Sequence, residues 1–402
     1  MRAVINAAGI QMDAESIDGE IRSTTYADRL LVTARRGLDR LPGPLEIASF
    51  QLSWDTERLI QGQASIVVAD PEGGLEPITI ADPLAPGGSR LDIVYEFGAT
   101  DTRVLLDTWR IRRVTPRIDL QWRRLSGNLV WLHGGGTIAV QADEELASVQ
   151  LDRLDIGSRR PTHETVLAEV QYLVADYLTL AVHADVVDAS LPAADMDDDE
   201  YGDDRLAVVA DLLNLIGAAY RISSGTLEVV PAVGVPAGFV IDPGEDGCLV
   251  SAASTMTDDD LANAVTSHRE WTDDDGVERE LVGRARLVDG PLAYGGPFGK
   301  VTKFRGANLA TTQQQVDSDA ETALARLSRQ GDVILSVTCL TNPALQLYDL
   351  VSLAMPVPGA VNEVTGKVVA MTLTATDGVV EKTMDLRLAV SHQQLARLRS
   401  LP

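Results

Sequence analysis

Lysine is almost missing from this 402-residue chain: Lys300, Lys303, Lys367 and Lys382 are its only lysines, and the other basic residues are arginine. With 34 basic against 59 acidic side chains the formal net charge is −25, a sign that repels nucleic-acid phosphate and anionic lipid. That excludes the bulk surface as a sequence-specific DNA reader or a membrane binder. Cysteine is scarce too. Cys248 and Cys339 stand far apart in sequence, so a disulfide framework and a four-thiolate metal site are both excluded. A single bridge stays open, and two reduced, half-buried thiols are the simplest expectation. Aromatics make up only 4%, so aliphatic packing must carry the cores and ring-stacking sugar clefts are disfavoured. No apolar run reaches membrane-spanning length: the most apolar stretch, Leu206 to Tyr220, contains Asp211 and Asn214. Val4 to Ile10 is too short for a signal peptide and is followed at once by Asp13, Glu15 and Asp18. A soluble chain made inside a cell, without membrane insertion, is the expectation.

What is present reads as β at both ends with helices between. Within Ile47 to Arg113, Phe50, Leu52 and Trp54 alternate with Gln51 and Ser53, the pattern of a strand with one buried face. Asp55-Thr56-Glu57-Arg58 leads through Gly62 to a second strand bearing Ala64, Ile66 and Val68. Two Pro/Gly clusters, Ala69 to Gly74 and Ala81 to Gly88, are turns, because proline removes a donor and glycine supplies positive φ. Leu91, Ile93, Tyr95 and Phe97 share one face of a third strand, and Val104 to Arg113 makes a fourth. The unit runs past Trp122 and ends near His133-Gly134-Gly135-Gly136.

Pro161-Thr162 is then expected to open a helix, with Thr162 as N-cap and Glu164 in its first turn. Val166, Val170, Leu173, Val174, Tyr177, Leu178 and Ala181 form its stripe. Asp195 to Asp204 reads as a solvated acidic loop whose last aspartates cap a second helix bearing Leu206, Val209, Leu212, Leu213 and Ile216. Thr226 to Val230 is a short strand, broken by Pro231 and Pro236. From about residue 240 the pattern is β again, with a hairpin turn at Thr272-Asp273-Asp274-Asp275-Gly276 and a Gly/Pro loop from Gly290 to Gly299. Ser318 with Glu321 matches a capping box and Gly331 suits the position after a helix end, which predicts a helix over 318–330. Val333, Leu335, Val337 and Cys339 alternate next. Val369, Met371 and Leu373 lead through Asp377-Gly378 to Met384, Leu386, Leu388 and Val390, the cleanest hairpin of the chain. The fold class is α+β, predominantly antiparallel β. Residues 1–45 are an arm or covering element, 46–140 a first β domain, 141–235 a helix-containing insert and 236–402 a second β domain.

Each candidate for chemistry lacks a necessary residue. His163-Glu164 begins like a zinc-protease helix, yet Leu167 stands where the second histidine is needed. Gly295 to Lys300 is similar to a phosphate loop, but Tyr294 replaces its first glycine and Val301 its magnesium-binding hydroxyl. Asp195, Asp197, Asp198, Asp199, Glu200, Asp203 and Asp204 could offer hard oxygens to calcium, but Gly202 is displaced from the centre of a calcium loop. His133, His183, His268 and His392 are scattered, and no Gly-x-Ser-x-Gly elbow occurs. Trp54, Trp109, Trp122, Trp131 and Trp271 sit in strand contexts that packing explains. No catalytic, cofactor-binding or metal-binding residue is assigned.

The strand pair Phe50–Trp54 and Ala64–Val68, the turn Ala69-Asp70-Pro71-Glu72-Gly73, and Asp82-Pro83-Leu84-Ala85-Pro86-Gly87 before Arg90–Phe97 resemble minor tail proteins of actinobacterium-infecting siphophages, in the family of tail-tip or baseplate hub proteins. A short helix, a strand and Asn342-Pro343-Ala344-Leu345-Gln346-Leu347-Tyr348-Asp349 are similar to the hub Pro-x-Leu-x-x-Gly-Asp pattern, with Tyr348 in the place of its glycine. The resemblance implies two tube-like β-barrel or sandwich domains per chain. It further implies a homotrimeric, pseudo-sixfold ring at the distal tail end that joins the tail tube to the tip and leaves a channel for DNA. The implied partners are the distal tail protein, the tape measure protein and other minor tail or tip proteins; no cofactor is implied. Acidic or neutral side chains are expected on the lumen, because binding of DNA needs basic counter-charge. Two other classes stay open. A host-recognition module for cell-envelope polysaccharide would need an exposed aromatic cluster, and a wall hydrolase a convergent carboxylate pair.

Overall fold

A computed structural model describes residues 4–5, 10–11, 27–100, 102–125, 128–155, 161–191, 201–245, 247–255, 261–272, 277–290, 292–306, 312–329, 333–357 and 360–391. Two short strands, β1 (Val4–Ile5) and β2 (Ile10–Gln11), pair with each other. The first long strand is β3 (Arg29–Arg36), on which Leu30, Val32 and Ala34 are buried and their neighbours face outward. Leu30-Leu31-Val32 therefore belongs to a wall strand within the stretch expected to be an arm, because the period of two continues through Ala34.

After β4 (Asp39–Arg40), the expected hairpin forms from β5 (Ile47–Asp55) and β6 (Gly62–Asp70). Then come β7 (Ser89–Phe97) and a long hairpin of β8 (Thr102–Leu125) with β9 (Asn128–Glu144). The pairing order β3-β7-β8-β9-β6-β5 is antiparallel throughout. Its inward residues, among them Phe50, Leu52, Ile66, Leu91, Ile93, Tyr95 and Trp109, form one core. Each such side chain contributes about 1.5–3 kcal/mol by leaving water. Both turn clusters are held by their aspartates. Asp70 accepts from Gly74 N and Leu75 N at 2.9 and 3.1 Å, and Asp82 accepts from Ile78 N and Thr79 N at 2.7 Å each.

The helical section holds α1 (Leu146–Leu151), α2 (Val166–Val174), β10 (Thr179–Val182), α3 (Arg205–Leu215), β11 (Ala218–Ser223) and β12 (Thr226–Pro231). Helix α2 starts later than expected. Thr165, not Thr162, is its N-cap, accepting from Ala168 N at 3.4 Å. Thr162 and His163 are held instead by the buried Glu169 carboxylate, which accepts from both backbone nitrogens at 3.0 Å. The stripe also ends earlier: Ala181 lies on β10, which pairs parallel to β12. Helix α3 begins as expected, with Asp204 accepting from Leu206 N and Ala207 N at 3.1 Å.

Strand β13 (Val235–Ile241) includes Pro236, expected as a breaker; an edge strand tolerates a residue without a donor. Then β14 (Leu249–Thr255) is followed by an inserted unit of β15 (Ala264–Thr272), β16 (Glu278–Arg286), β17 (Thr302–Gly306) and α4 (Gln313–Arg329). β15 and β16 pair as the expected hairpin, whose turn at 273–276 lies outside the described residues. Helix α4 corrects the capping-box reading, because it begins at Gln313 and leaves Ser318 exposed in its interior. Its first turns are pulled onto the sheet at Gly283, where a Cβ would lie 2.3 Å from the Val316 carbonyl. Gly331 lies outside the described residues.

The chain closes with β18 (Val333–Leu340), β19 (Asp349–Val357), β20 (Ala360–Thr376), β21 (Val379–Val380) and β22 (Thr383–Val390). The Asp377-Gly378 turn forms with both φ positive, at 52° and 73°. The hairpin beyond it is less simple than its pattern. β21 pairs with the end of β20 across the turn and with β3 on its other side, and β22 pairs with Gly366 to Thr372 of β20. Val369 falls in a register shift, out of phase with Met371 and Leu373, and its carbonyl accepts from Thr56 N at 2.9 Å. Upstream of that bulge β20 pairs with β19; downstream it pairs with β5. The β20–β5 and β21–β3 pairings close the first set of strands into a ring. The second set, β13-β19-β20-β22-β18-β14, has its two outer strands tied by Leu249 N donating to Asp242 O at 2.9 Å. Among the described residues no helix is long and apolar enough to cross a membrane.

Tyr348, in the place of the hub glycine, has a left-handed backbone with φ 66°. Such a conformation costs a side-chain-bearing residue about 1–2 kcal/mol. It is held by Tyr348 N donating to Val368 O and Tyr348 O accepting from Val235 N, both at 2.9 Å. Tyr348→Gly and Tyr348→Ala both lose the half-buried ring. In urea unfolding the glycine variant should be the more stable of the two by about 1 kcal/mol; the reverse order would show that the backbone angle is not what the position demands.

Candidate functional site

Seven consecutive strands, β14-β18-β22-β20-β5-β6-β9, make one antiparallel sheet through both β parts. Its inner side covers both cores, and Trp54 packs against each of them. The outer side is assembled from short uncharged residues in register. One row reads Thr376, Ser49, Val67, Ala139; the next reads Thr374, Gln51, Ser65, Gln141. A third runs Ser251, Thr338, Asp385, Thr372, Ser53, Gln63, Asp143. The charges that enter are matched locally. Arg387 pairs with Asp55, Asp143 lies 3.5 Å from Arg112, and Asp385 accepts from the Thr338 hydroxyl at 2.8 Å. Such a face contrasts with the net charge of −25 of the chain. Among the described residues these rows carry no Trp or Tyr of the kind that anchors tight protein interfaces, and Arg113 lies exposed opposite Gln141 one strand further on.

The sheet ends in open edges. Among the described residues β14 pairs only with β18, and Val250 to Ser254 is exposed on both sides of the strand. At the other end β9 pairs with β8, which loses its second neighbour after Arg110 while continuing to Leu125. Unpaired donors and acceptors at both ends offer themselves to another strand.

Beneath the sheet, three parts of the chain meet around a cavity of about 70 Å³. Trp54, Gln61, Asp107 and Glu144 come from the first β part, Arg221 and Ile222 from β11, and Asn342 to Leu347 from the β18–β19 loop. Glu144 sits over Gly62, where a Cβ would lie 2.5 Å from Glu144 Oε2, and it accepts from Gln61 N at 2.9 Å. Burial pushes its carboxyl up to about 8, and the charge of Asp107 adds to the shift. Burial likewise pushes Asp107 up to about 7. Arg221 donates to Glu228, Asp349 and the Leu347 carbonyl, each at 2.8 Å, and so ties β11 to the second β part. Among the described residues the side-chain oxygen of Gln61 and the indole nitrogen of Trp109 are buried without a hydrogen-bond partner.

The motif residues are not gathered here. His163 stacks on Tyr172 and pairs with Glu169, and Leu167 is the next residue of α2 after its first. Gly295 to Lys300 folds back on itself, Gly295 N donating to Gly299 O at 2.8 Å, and packs on Tyr294. Of the acidic run, 195–200 lie outside the described residues; Asp203 and Asp204 face Arg153, and Asp204 caps α3. Sequence reasoning missed Glu144 and Asp107, which look like ordinary surface acids. Their only early signal is the inward phase of strands bearing Trp109 and Ala142.

No family model and no curated protein sequence matches the chain. Solved structures do. The 43 kDa tail protein of prophage MuSo2 from Shewanella oneidensis matches with TM-score 0.59 at 14% identity, over 90% of this chain and 98% of that one. The tail protein from Neisseria meningitidis MC58 matches with TM-score 0.57 at 13% identity, over 90% and 96%. The chain has the fold of these tail proteins. At this identity the likeness speaks for architecture: a mostly antiparallel β tail-protein fold with few helices.

Asp107 and Glu144 have folded-state pKa values raised to about 7 and about 8, so they hold protons in the folded chain that the unfolded chain releases above about pH 4. Their contribution therefore favours folding least at high pH. Glu144→Gln keeps the shape without the charge. Relative to the unsubstituted chain it should gain stability on the order of 3 kcal/mol between pH 5 and pH 9, read by urea unfolding. A difference that does not change with pH would contradict the buried-acid assignment.

Proposed function

We propose that this protein is a structural subunit of a phage tail tip, in which three copies close a hub ring around a DNA channel. The observation that carries the proposal is the seven-strand sheet whose outer face is mostly hydroxyl and amide side chains and which, among the described residues, has an open edge at each end. A ring needs a surface that repeats head to tail, and β14 of one copy can continue onto the β8 edge of the next. The two β parts of each copy then supply six tube-like units from three chains, which matches a sixfold tube. A wall of Ser, Thr and Gln hydroxyls and amides offers DNA phosphate no counter-charge, so the genome passes without being retained.

The likeness to tail proteins supports a place in the tail. The tip position, the trimer, and contacts with the distal tail and tape measure proteins follow from the ring reading and from the sequence resemblance. The role is one of assembly and not of catalysis. Among the described residues the exposed aromatics, Tyr172 and Phe304, stand on separate elements, which gives a glycan platform no support.

Solution mass as a function of concentration, alone and with the distal tail protein, tests the ring. A trimer, or a three-to-six complex with that partner, is expected; a monomer under every condition that is also missing from purified tails would overturn it. Placing charge on the wall tests the channel. Gln51→Lys with Thr374→Lys should leave folding and tail incorporation unchanged and lower DNA delivery at least tenfold. Unimpaired delivery would move the channel to another face.

A further inference from the structure

The two cysteines, distant in sequence, meet at the open edge of the sheet. Cys339 lies on β18 and is fully buried; Cys248 directly precedes β14 and is half-buried. The ladder sets Leu249 opposite Cys339, and Leu340 N donates to Cys248 O at 2.9 Å. The cysteines therefore occupy diagonal positions on adjacent strands. Direct opposition of about 5 Å and one step of about 3.4 Å put their Cα atoms about 6 Å apart, inside the span of about 4.4–6.8 Å that a disulfide bridges. Strict alternation would turn Cys248 to the other face of the strand pair, yet Cys248 packs against the core that contains Cys339. Its thiol has two weak tethers, donating to Val240 O at 3.5 Å and to Asp242 Oδ1 at 4.0 Å.

We propose that Cys248 and Cys339 are a cross-linking pair, which in an oxidising environment forms an intrachain disulfide fastening edge strand β14 to β18. The oxidant is a small disulfide of the glutathione class. The Cys248 thiolate, on the more accessible side, attacks one of its sulfurs, expels a small thiolate and leaves a mixed disulfide. Cys339 then loses its proton and displaces the second small thiolate. Two protein thiols give up two electrons and two protons, and the small disulfide becomes two thiols. Burial raises both thiols, Cys339 to about 12, so the reduced pair is inert in a reducing cytosol and reacts slowly after leaving it. The chemistry rests on the fold alone. Its benefit rests on the ring reading, in which β14 is a joining edge that must stay in the sheet.

The test uses the full chain, incubated under native conditions with oxidised glutathione at mildly alkaline pH. Expected are loss of both thiols, a peptide joining residues 248 and 339 in the digest, and a thermal midpoint raised by several degrees that dithiothreitol reverses. Cys248→Ser and Cys339→Ser should each abolish the oxidant's effect on the midpoint. Persistent glutathione on Cys248, interchain dimers, or thiols that react only after unfolding would each overturn the proposal. Because a monomer can form the bond, failure of the ring leaves this test intact.

Discussion

One strand joins the two β parts, and the rest of the structure depends on it. β20 spends its first half beside β19 and its second beside β5, with β22 along its other edge. The change of partner happens at the Val369 bulge, where an extra residue re-aims the strand and its carbonyl binds Thr56. Without that bulge the inward phase of Val368 could not give way to that of Met371 and Leu373, and one core would face solvent. The Arg387–Asp55 pair closes the same seam from the outer side.

The seam explains where charge is allowed. On the outer face Asp55 and Asp143 each have an arginine partner and Asp385 a hydroxyl donor, and the rows between them present hydroxyls and amides. Below it, Arg221 is saturated by Glu228, Asp349 and a carbonyl, while Glu144 and Asp107 face no cation and are forced toward their neutral forms. Removing Arg221 would leave the Glu228 and Asp349 carboxylates without their shared cation, a costly state. The surface that organises the molecule thus carries little of the acidic excess of the composition.

Much of this was legible from residue order alone. The alternation of Phe50, Leu52, Ile66, Leu91, Ile93 and Tyr95 gave the inward face of each strand, and Asp204 and Asp377-Gly378 announced a cap and a turn that both formed. The misses share one cause, a tertiary contact overriding a local pattern. Ser318 and Glu321 fit a capping box, but packing of Val316 on Gly283 extends α4 past it. Thr162 fits an N-cap, but Glu169 claims its donors. Val369 fits an alternation that the bulge breaks. No local rule pairs β20 with a strand at the opposite end of the chain, so the uncharged face could not be assembled before the register was known.

A cryo-electron-microscopy reconstruction of the assembled tail tip, at a resolution that shows side chains, tests the central claim most directly. The expected map has three copies whose β14-to-β9 sheets line the channel, with Gln51, Ser65 and Thr374 pointing at the axis. A map that buries those side chains under a neighbouring protein, or turns them to the outside of the ring, would contradict it.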